Sequence, residues 1–227
     1  MIDVSKVPSG LVNLTKTAAD SLQKHGLTGT KAAVYLVLDH SGSMYPHYQS
    51  GAVQHLAEQA LGLSANLDDD GSVPLIYFGS HAVVQDDVRL DNYQGVIDRT
   101  HTRVHWGSTN YPAAIGAATR EHKASGATDP GLVIFQSDGD PDSAHAAEAA
   151  LRSASHAPLF FAFVGFGKSV GFLQRLDTLT GRSVDNASFF HAVNPLNTSD
   201  ADLYDGITRE YGTWLTAART AGIIRNH

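Results

Sequence analysis

Apolar runs of strand length alternate along this chain with stretches of helical periodicity. A run without polar alternation, such as Tyr35 to Leu38, is typical of a strand buried on both faces. A more polar run at 82–90 follows the run at 72–78 after a short link, which predicts a hairpin and an antiparallel edge strand. The strands predicted in this way are 31–39, 72–78, 82–90, 131–137, 158–167 and 188–193.

Helices are predicted where apolar residues recur every three or four positions between these runs. They are 11–25, 52–66, 91–99, 111–123, 142–155, 170–181 and 200–221. Strands that alternate with helices indicate an α/β fold, with an open, mostly parallel sheet of about six strands, one antiparallel edge strand and helices on both faces. In such sheets ligands bind beyond the carboxyl ends of the strands, so the loops after the strands are the place to look for a site.

The helix at 11–25 defines the expected domain organisation. Its apolar residues lie at helical spacing and Gly26 follows, where a helix end is expected. We expect residues 1–30 to be an amphipathic extension that packs on the main domain at 31–227.

The run that ends at Asp39 continues directly into two serines, Ser41 and Ser43. Alternate positions of a turning loop direct their oxygens towards one point, and Gly42 permits the tight turn. Carboxylate and hydroxyl oxygens are hard ligands that suit Mg²⁺, with Mn²⁺ or Ca²⁺ as competitors. The stretch 39–43 alone also fits an ordinary turn with a helix N-cap, so oxygens elsewhere in the chain must distinguish the metal site from the turn.

Two later loops supply further oxygens. Thr109 lies in W-G-S-T-N, and Asp138 lies in Q-S-D-G-D. If strands 31–39 and 131–137 are neighbours, Asp39 and Asp138 emerge side by side. Two carboxylates held close together in a partly desolvated site repel each other, and a divalent cation would relieve this repulsion.

Together these residues resemble the metal-ion-dependent adhesion site of the von Willebrand factor type A domains, and the resemblance covers roughly 31–221. The five matching positions are Asp39, Ser41, Ser43, Thr109 and Asp138. The resemblance implies a Rossmann-like fold and a Mg²⁺ ion ligated by both serines and often by the threonine, with the two aspartates commonly acting through waters. It also implies a coordination position open to an Asp or Glu side chain of a partner protein, and therefore binding without catalysis.

Three longer stretches, GLVNLTKTAADSLQKHGL, VYLVLDHSGSM and LDDDGSVPLIYFGS, resemble a narrower group. They are similar to the type A domain proteins associated with bacterial tellurium-resistance and general stress gene sets. This resemblance implies a cytoplasmic scaffold of a stress response.

Composition excludes several other classes of function. With 16 basic and 23 acidic residues the formal charge is -7, which argues against an electrostatic nucleic-acid binder. The absence of cysteine excludes disulfides, thiolate metal sites and a cysteine nucleophile. The sequence shows neither a secretory leader pattern nor an apolar run long enough to cross a bilayer, so we expect a cytoplasmic protein with no membrane partner.

Two motifs imitate other binding sites. GFGKS at 165–169 is similar to the end of a phosphate-binding loop, but the first glycine of that motif would fall at Ala162. The stretch at 66–71 is similar to the opening of an EF-hand loop, but its twelfth position is Tyr77, where the loop needs glutamate. Both are better explained as turn and helix-start chemistry.

The histidines give little support for a transition-metal site. In the extended stretch predicted around them, His101 and His105 would lie about 13 Å apart, too far to share one ion. His40 and His47 flank the proposed metal loop, where they could shape the partner surface or make binding depend on pH.

Two alternative functions remain. A Mg²⁺-dependent phosphohydrolase of the haloacid-dehalogenase type needs a second aspartate two positions after the first, and Ser41 stands there. A metal-independent scaffold is the other. With no positioned nucleophile or general base, we expect no enzyme activity. We also expect Asp39→Ala to abolish metal and partner binding without unfolding the protein, on the assumption that Asp39 lies at the surface.

Overall fold

The computed structural model describes residues 2–225, which form a single sheet with helices on both faces. The strands are β1 (Ala33–Asp39), β2 (Ser72–Phe78), β3 (Ala82–Arg89), β4 (Gly131–Ser137), β5 (Leu159–Phe166) and β6 (Ala187–Ala192). Their order is β3-β2-β1-β4-β5-β6, with β2 and β3 antiparallel and every other pair parallel. The predicted fold class, including the antiparallel edge strand, is confirmed. Met1, Asn226 and His227, which the predicted regions 1–30 and 31–227 include, lie outside the described residues.

The helices alternate with these strands. They are α1 (Val12–Lys24), α2 (Tyr45–Gln49), α3 (Ala52–Leu67), α4 (Val96–His101), α5 (Tyr111–Ser125), α6 (Ala144–Ala154), α7 (Gly171–Asp177), α8 (Asp200–Thr208) and α9 (Tyr211–Thr220). The helix predicted at 91–99 begins later, and the one predicted at 170–181 ends earlier. Helix α2 was not predicted because five residues are too few to show a helical period. Within residues 2–225, no helix has the length and apolar character that crossing a membrane requires.

The prediction of one long helix at 200–221 is wrong. Two helices occupy this stretch, and the break falls at Arg209 and Glu210. The hydroxyl of Thr208 donates to the carbonyl of Tyr204 at 2.7 Å, a contact that bends helices near their ends. The break lets the two halves pack separately, since α8 packs against α1 and β6 while Trp214 of α9 packs on Phe160 of β5.

Hydrophobic clusters lie on both faces of the sheet. In β1, Leu36 and Leu38 belong to the cluster beneath α1, α3, α8 and α9, whereas Tyr35 and Val37 belong to the cluster beneath α5, α6 and α7. All four side chains are almost completely buried. The central strand is therefore covered on both sides, as its unbroken apolar run predicts.

Helix α1 packs against α3 and α8. A β-carbon added at Gly62 of α3 would lie 2.9 Å from the Cβ atom of Leu14, so the two helices approach closely at this glycine. The hydroxyl of Ser21 donates to Asp205 of α8 at 2.8 Å, and the Asn66 amide donates to the Thr15 carbonyl at 2.9 Å. These contacts fix α1 on the sheet-covering layer, while the boundary at residue 30 stays a prediction.

Candidate metal centre

The two aspartates of the predicted site lie at the carboxyl ends of neighbouring strands. Strands β1 and β4 are parallel and adjacent, with Leu38 opposite Gln136. Asp39 is the last residue of β1, and Asp138 follows directly after Ser137, the last residue of β4. The pairing required by the sequence argument is therefore present.

Asp39 is completely buried, which contradicts the expectation of a surface carboxylate. Its Oδ1 atom accepts the backbone N–H of Ser41 at 2.8 Å, and its Oδ2 atom accepts the hydroxyl of Ser137 at 2.5 Å. Burial raises the pKa of Asp39 to about 6, because the charged carboxylate loses hydration that these hydrogen bonds only partly replace. Removal of this side chain would leave buried donors without a partner, so Asp39→Ala tests the fold as well as the site.

A chain of hydrogen bonds connects Asp39 to Asp138 through both serines. The hydroxyls of Ser41 and Ser43 lie 3.1 Å apart, and Ser43 donates to Oδ1 of Asp138 at 2.8 Å. The 3₁₀ turn Gly42–Met44 produces this convergence, since it bends the chain immediately after Ser41. Four of the five predicted ligands are therefore joined by hydrogen bonds.

Thr109 is brought to the same edge of the sheet by backbone contacts. The loop that carries it pairs with the β1 loop through a parallel bridge between Ser41 and Gly107, in which the N–H of Gly107 donates to the His40 carbonyl at 3.1 Å. A β-carbon at Gly107 would lie 2.4 Å from the backbone nitrogen of Ser80, so only glycine allows this close approach.

Asp142 is a site residue that the sequence reasoning missed. Its Oδ1 atom accepts the backbone N–H of Thr109 at 3.0 Å, and its own N–H donates to the Thr109 carbonyl at 2.9 Å. Its Oδ2 atom accepts the hydroxyl of Ser108 at 2.7 Å. Asp142 thus holds the Thr109 loop against the loop that carries Asp138. The alternation of aspartates at 138, 140 and 142 is the signal in the sequence that could have indicated it.

The donor set fits a hard divalent cation. It consists of two carboxylates and three hydroxyls, with a buried carboxylate whose charge is only partly compensated. Across residues 2–225 there is no group of three or more His, Cys, Asp or Glu side chains placed to hold a metal ion. The candidate site is of a different kind, because serine and threonine provide three of its five ligands.

Comparison with known proteins places this chain in a family. Residues 31–224 match the model described as vWA-TerF-like, the von Willebrand factor type A domain found in the TerF C terminus. The chain belongs to this family of type A domains. The Uncharacterized protein YcbR of Bacillus subtilis (strain 168) is 32% identical over 210 residues, which cover 90% of this chain and 86% of that protein.

Solved structures of type A domains share the fold at low sequence identity. The von Willebrand factor type A protein from Catenulispora acidiphila has a TM-score of 0.59 and 17% identity over 80% of this chain, which spans only 42% of that protein. Manganese-loaded TRAP protein of Plasmodium vivax has a TM-score of 0.51 and 19% identity, covering 74% of this chain and 72% of that one. Proximal thread matrix protein 1 from the mussel byssus, with a zinc-occupied MIDAS motif, has a TM-score of 0.58 and 14% identity, covering 79% and 48%.

In this type A domain, His40 lies beneath the surface. It is fully buried, and its ring stacks on that of Trp106 with centroids 3.8 Å apart and planes inclined by 8°. Its Nε2 atom lies 3.4 Å from Nδ1 of His101, and burial lowers the pKa of His40 to about 4. His40 therefore supports the surface from below without reaching a partner, whereas His47 is partly exposed.

The extended stretch predicted around His101 is wrong. His101 ends helix α4, and a turn follows in which the N–H of Val104 donates to the His101 carbonyl at 3.0 Å. The separation inferred from an extended strand therefore does not apply. His101 instead contacts His40 and Tyr48 in an aromatic cluster of the type A domain.

The two imitating motifs have local structural roles. Gly167 of the GFGKS stretch adopts a φ of 73°, which turns the chain after β5, and α7 begins only at Gly171. In the stretch similar to an EF-hand, the side chain of Asn66 donates to the carbonyls of Thr15 and Gly62. It therefore faces α1 and the preceding turn of its own helix.

Proposed function

We propose that this type A domain is a divalent-metal-dependent protein-binding module. The ligands would be Asp39, Ser41, Ser43, Thr109 and Asp138. The observation that carries the proposal is the hydrogen-bonded chain from Asp39 through both serines to Asp138, at the carboxyl ends of two adjacent central strands. Such a cluster of oxygens is prepared for a hard ion before the ion arrives.

Mg²⁺ is the ion we propose, with Mn²⁺ or Ca²⁺ as alternatives. The donors are all oxygens, which these cations prefer. Two structural neighbours, one loaded with manganese and one with a zinc-occupied MIDAS motif, support a divalent cation in this fold. A bound Mg²⁺ ion retains exchangeable waters, so it would offer one position to an incoming carboxylate.

The partner would be a protein that presents an Asp or Glu side chain. Asp138 and the serines would orient the ion, and Asp142 would hold the Thr109 loop in place. We propose that the interaction serves a bacterial tellurium-resistance or stress-response system, which the match to the TerF-like model supports. A cytoplasmic location agrees with the lack of cysteine, since the chain needs no oxidising compartment for its folding.

We propose no catalytic role for the site. A phosphohydrolase of the haloacid-dehalogenase type would require an acid/base at position 41, where Ser41 instead shares a hydrogen bond with Ser43. The remaining alternative is a scaffold that binds partners without metal. Metal titration distinguishes it from the proposed module.

The test is calorimetric titration of metal-free protein with Mg²⁺ and with Mn²⁺. Asp39→Asn and Thr109→Ala should each abolish or strongly weaken saturable binding, because each removes a site oxygen or its charge. The matched controls are Asp20→Asn and Thr220→Ala, at exposed positions of α1 and α9, which should bind as the wild type does. No saturable binding in the wild type, or equal binding in all four variants, would refute the proposed site.

A further inference from the structure

Two exposed aromatic side chains flank the metal centre. Tyr45 is 51% exposed and Trp106 is 39% exposed. Among the exposed large hydrophobic residues within 2–225, these two are the aromatic ones. Tyr45 follows Ser43 by two positions, and Trp106 precedes Thr109 by three. Their ring centroids lie 5.7 Å apart, so the rings form one patch.

Trp106 is supported from below, and Tyr45 is held by a neighbouring side chain. Trp106 stacks on buried His40 and meets the edge of Tyr48 at 5.3 Å. His40 in turn contacts Tyr77 of β2, and the hydroxyl of Tyr45 accepts the side-chain amide of Gln49 at 2.7 Å. Exposed aromatics that are already fixed lose little conformational entropy on binding, and Trp and Tyr are the residues that most often dominate binding energy.

The patch and the acidic loop lie towards opposite neighbours of β1. Trp106 packs over His40, which contacts Tyr77 of β2, and β2 is the neighbour of β1 on one side. Asp138 and exposed Asp140 follow β4, the neighbour of β1 on the other side. A chain that crosses the site therefore meets an apolar surface on one side and negative charge on the other.

We propose that the Tyr45–Trp106 patch is a second contact site for the same partner, a deepening that rests on the proposed metal-dependent binding. The occupant is an extended segment of another protein. It places an acidic side chain on the ion, an aromatic or aliphatic side chain on the patch, and no second acidic side chain towards Asp138 and Asp140. A second copy of this chain, docked symmetrically through this face, is the competing occupant that the experiment distinguishes.

The experiment selects binders from a random peptide library displayed on phage, with the Mg²⁺-loaded protein as bait and elution by EDTA. Enriched peptides should carry an Asp or Glu with an aromatic or aliphatic residue close to it on one side. Tyr45→Ala and Trp106→Ala should each weaken binding of an enriched peptide by about ten-fold or more, as expected for central aromatic anchors. Both variants should bind Mg²⁺ with unchanged affinity, while Thr109→Ala should lose both ligands.

Val84→Ala is the matched control, since it removes an exposed apolar side chain from the edge strand β3 and should leave peptide binding unchanged. Trp106→Phe keeps a ring on His40 and should retain much of the affinity.

Acidic peptides that bind equally well to both alanine variants would overturn the patch as a contact site but leave the metal-dependent function standing. Failure of the wild type to bind Mg²⁺ would refute the proposed function itself. Failure to enrich any peptide on Mg²⁺-loaded protein, or a dimer that Trp106→Ala dissociates, would overturn the proposed occupant.

Discussion

Asp142 and Thr109 form a reciprocal pair: each donates its backbone N–H to an oxygen of the other, at 2.9 and 3.0 Å. The pair joins the Thr109 loop to the loop after β4. Both Thr109 atoms in the pair belong to the backbone. The position of the Thr109 hydroxyl relative to Asp138 therefore depends on Asp142.

We predict that Asp142→Ala weakens Mg²⁺ binding by about ten-fold or more, the range typical of residues that orient metal ligands. Asp142→Asn should recover part of the affinity, because an amide oxygen still accepts the Thr109 N–H. Calorimetric titration measures both. Asp140→Ala is the control for lost charge, since Asp140 is an exposed residue of the same loop. An equal loss in Asp140→Ala and Asp142→Ala would show that charge, not the position of Thr109, sets the affinity.

The charge of Asp39 is predicted to lower the stability of the metal-free protein, and bound Mg²⁺ is predicted to restore that stability. Burial raises its pKa to about 6, so ionised Asp39 costs on the order of 3 kcal/mol of folding stability at pH 7. A Mg²⁺ concentration about 100 times Kd should return about 3 kcal/mol through binding to the folded state alone. Asp39→Asn should be the more stable protein in EDTA, and it should gain nothing from Mg²⁺.

Urea unfolding of both proteins, with EDTA or with Mg²⁺, measures these differences. Asp20→Asn serves as the control, because this exposed residue of α1 should respond to Mg²⁺ as the wild type does. Equal stabilisation of the wild type and Asp39→Asn by Mg²⁺ would mean that the ion binds elsewhere.

Asp177 is predicted to give the protein a pH-dependent loss of stability. Burial, together with the negative charges of Glu210 and Asp185, raises the pKa of Asp177 to about 6 from 3.8. Between these values the folded state retains a proton that the unfolded state releases, so stability falls as pH rises from about 4 to 6 and stays lower above 6. Asp177→Asn should remove this fall and be more stable than the wild type at pH 7.

The measurement is the urea midpoint of both proteins across that pH range, since their difference cancels the other titrating groups. A difference that is constant with pH would contradict a raised pKa for Asp177. It would point instead to packing of the new amide.

Two helical glycines are predicted to respond in opposite directions to alanine. At Gly62 the added carbon would lie 2.9 Å from Cβ of Leu14 and 3.2 Å from its backbone carbonyl carbon, so Gly62→Ala should force α1 from α3 and cost about 1–3 kcal/mol. At Gly116 of α5 the nearest atom is the mobile end of Arg120, so Gly116→Ala should gain up to about 1 kcal/mol from helix propensity. Chemical unfolding measures both, and a stabilised Gly62→Ala would show that α1 is loosely attached.

The parts of the fold that follow from local pattern were predictable. The unbroken apolar run of β1 fixed its burial on both faces, and the short link after β2 indicated the hairpin to β3. The two aspartates at adjacent strand ends followed from the sheet rule once their strands were recognised. Each of these conclusions depends on periodicity or chain length, which a sequence displays directly.

The remaining features depend on contacts between distant segments. The buried carboxylate of Asp39 accepts a hydrogen bond from Ser137, which is 98 positions away, and no local pattern indicates that contact. The support that Asp142 gives Thr109 likewise crosses from one loop to another. The break between α8 and α9 follows from packing on different partners, because the apolar spacing continues across it.

The bridge between Ser41 and Gly107 holds the two loops of the candidate site together, whereas outward-facing side chains form the surface around it. Backbone atoms make this connection, so the loop path does not depend on the chemical nature of the side chains that point outward from it. Positions 45 and 106 can therefore change while the oxygen cradle is kept. Redirecting this domain to a new protein would therefore mean randomising these two positions while leaving Gly107 unchanged.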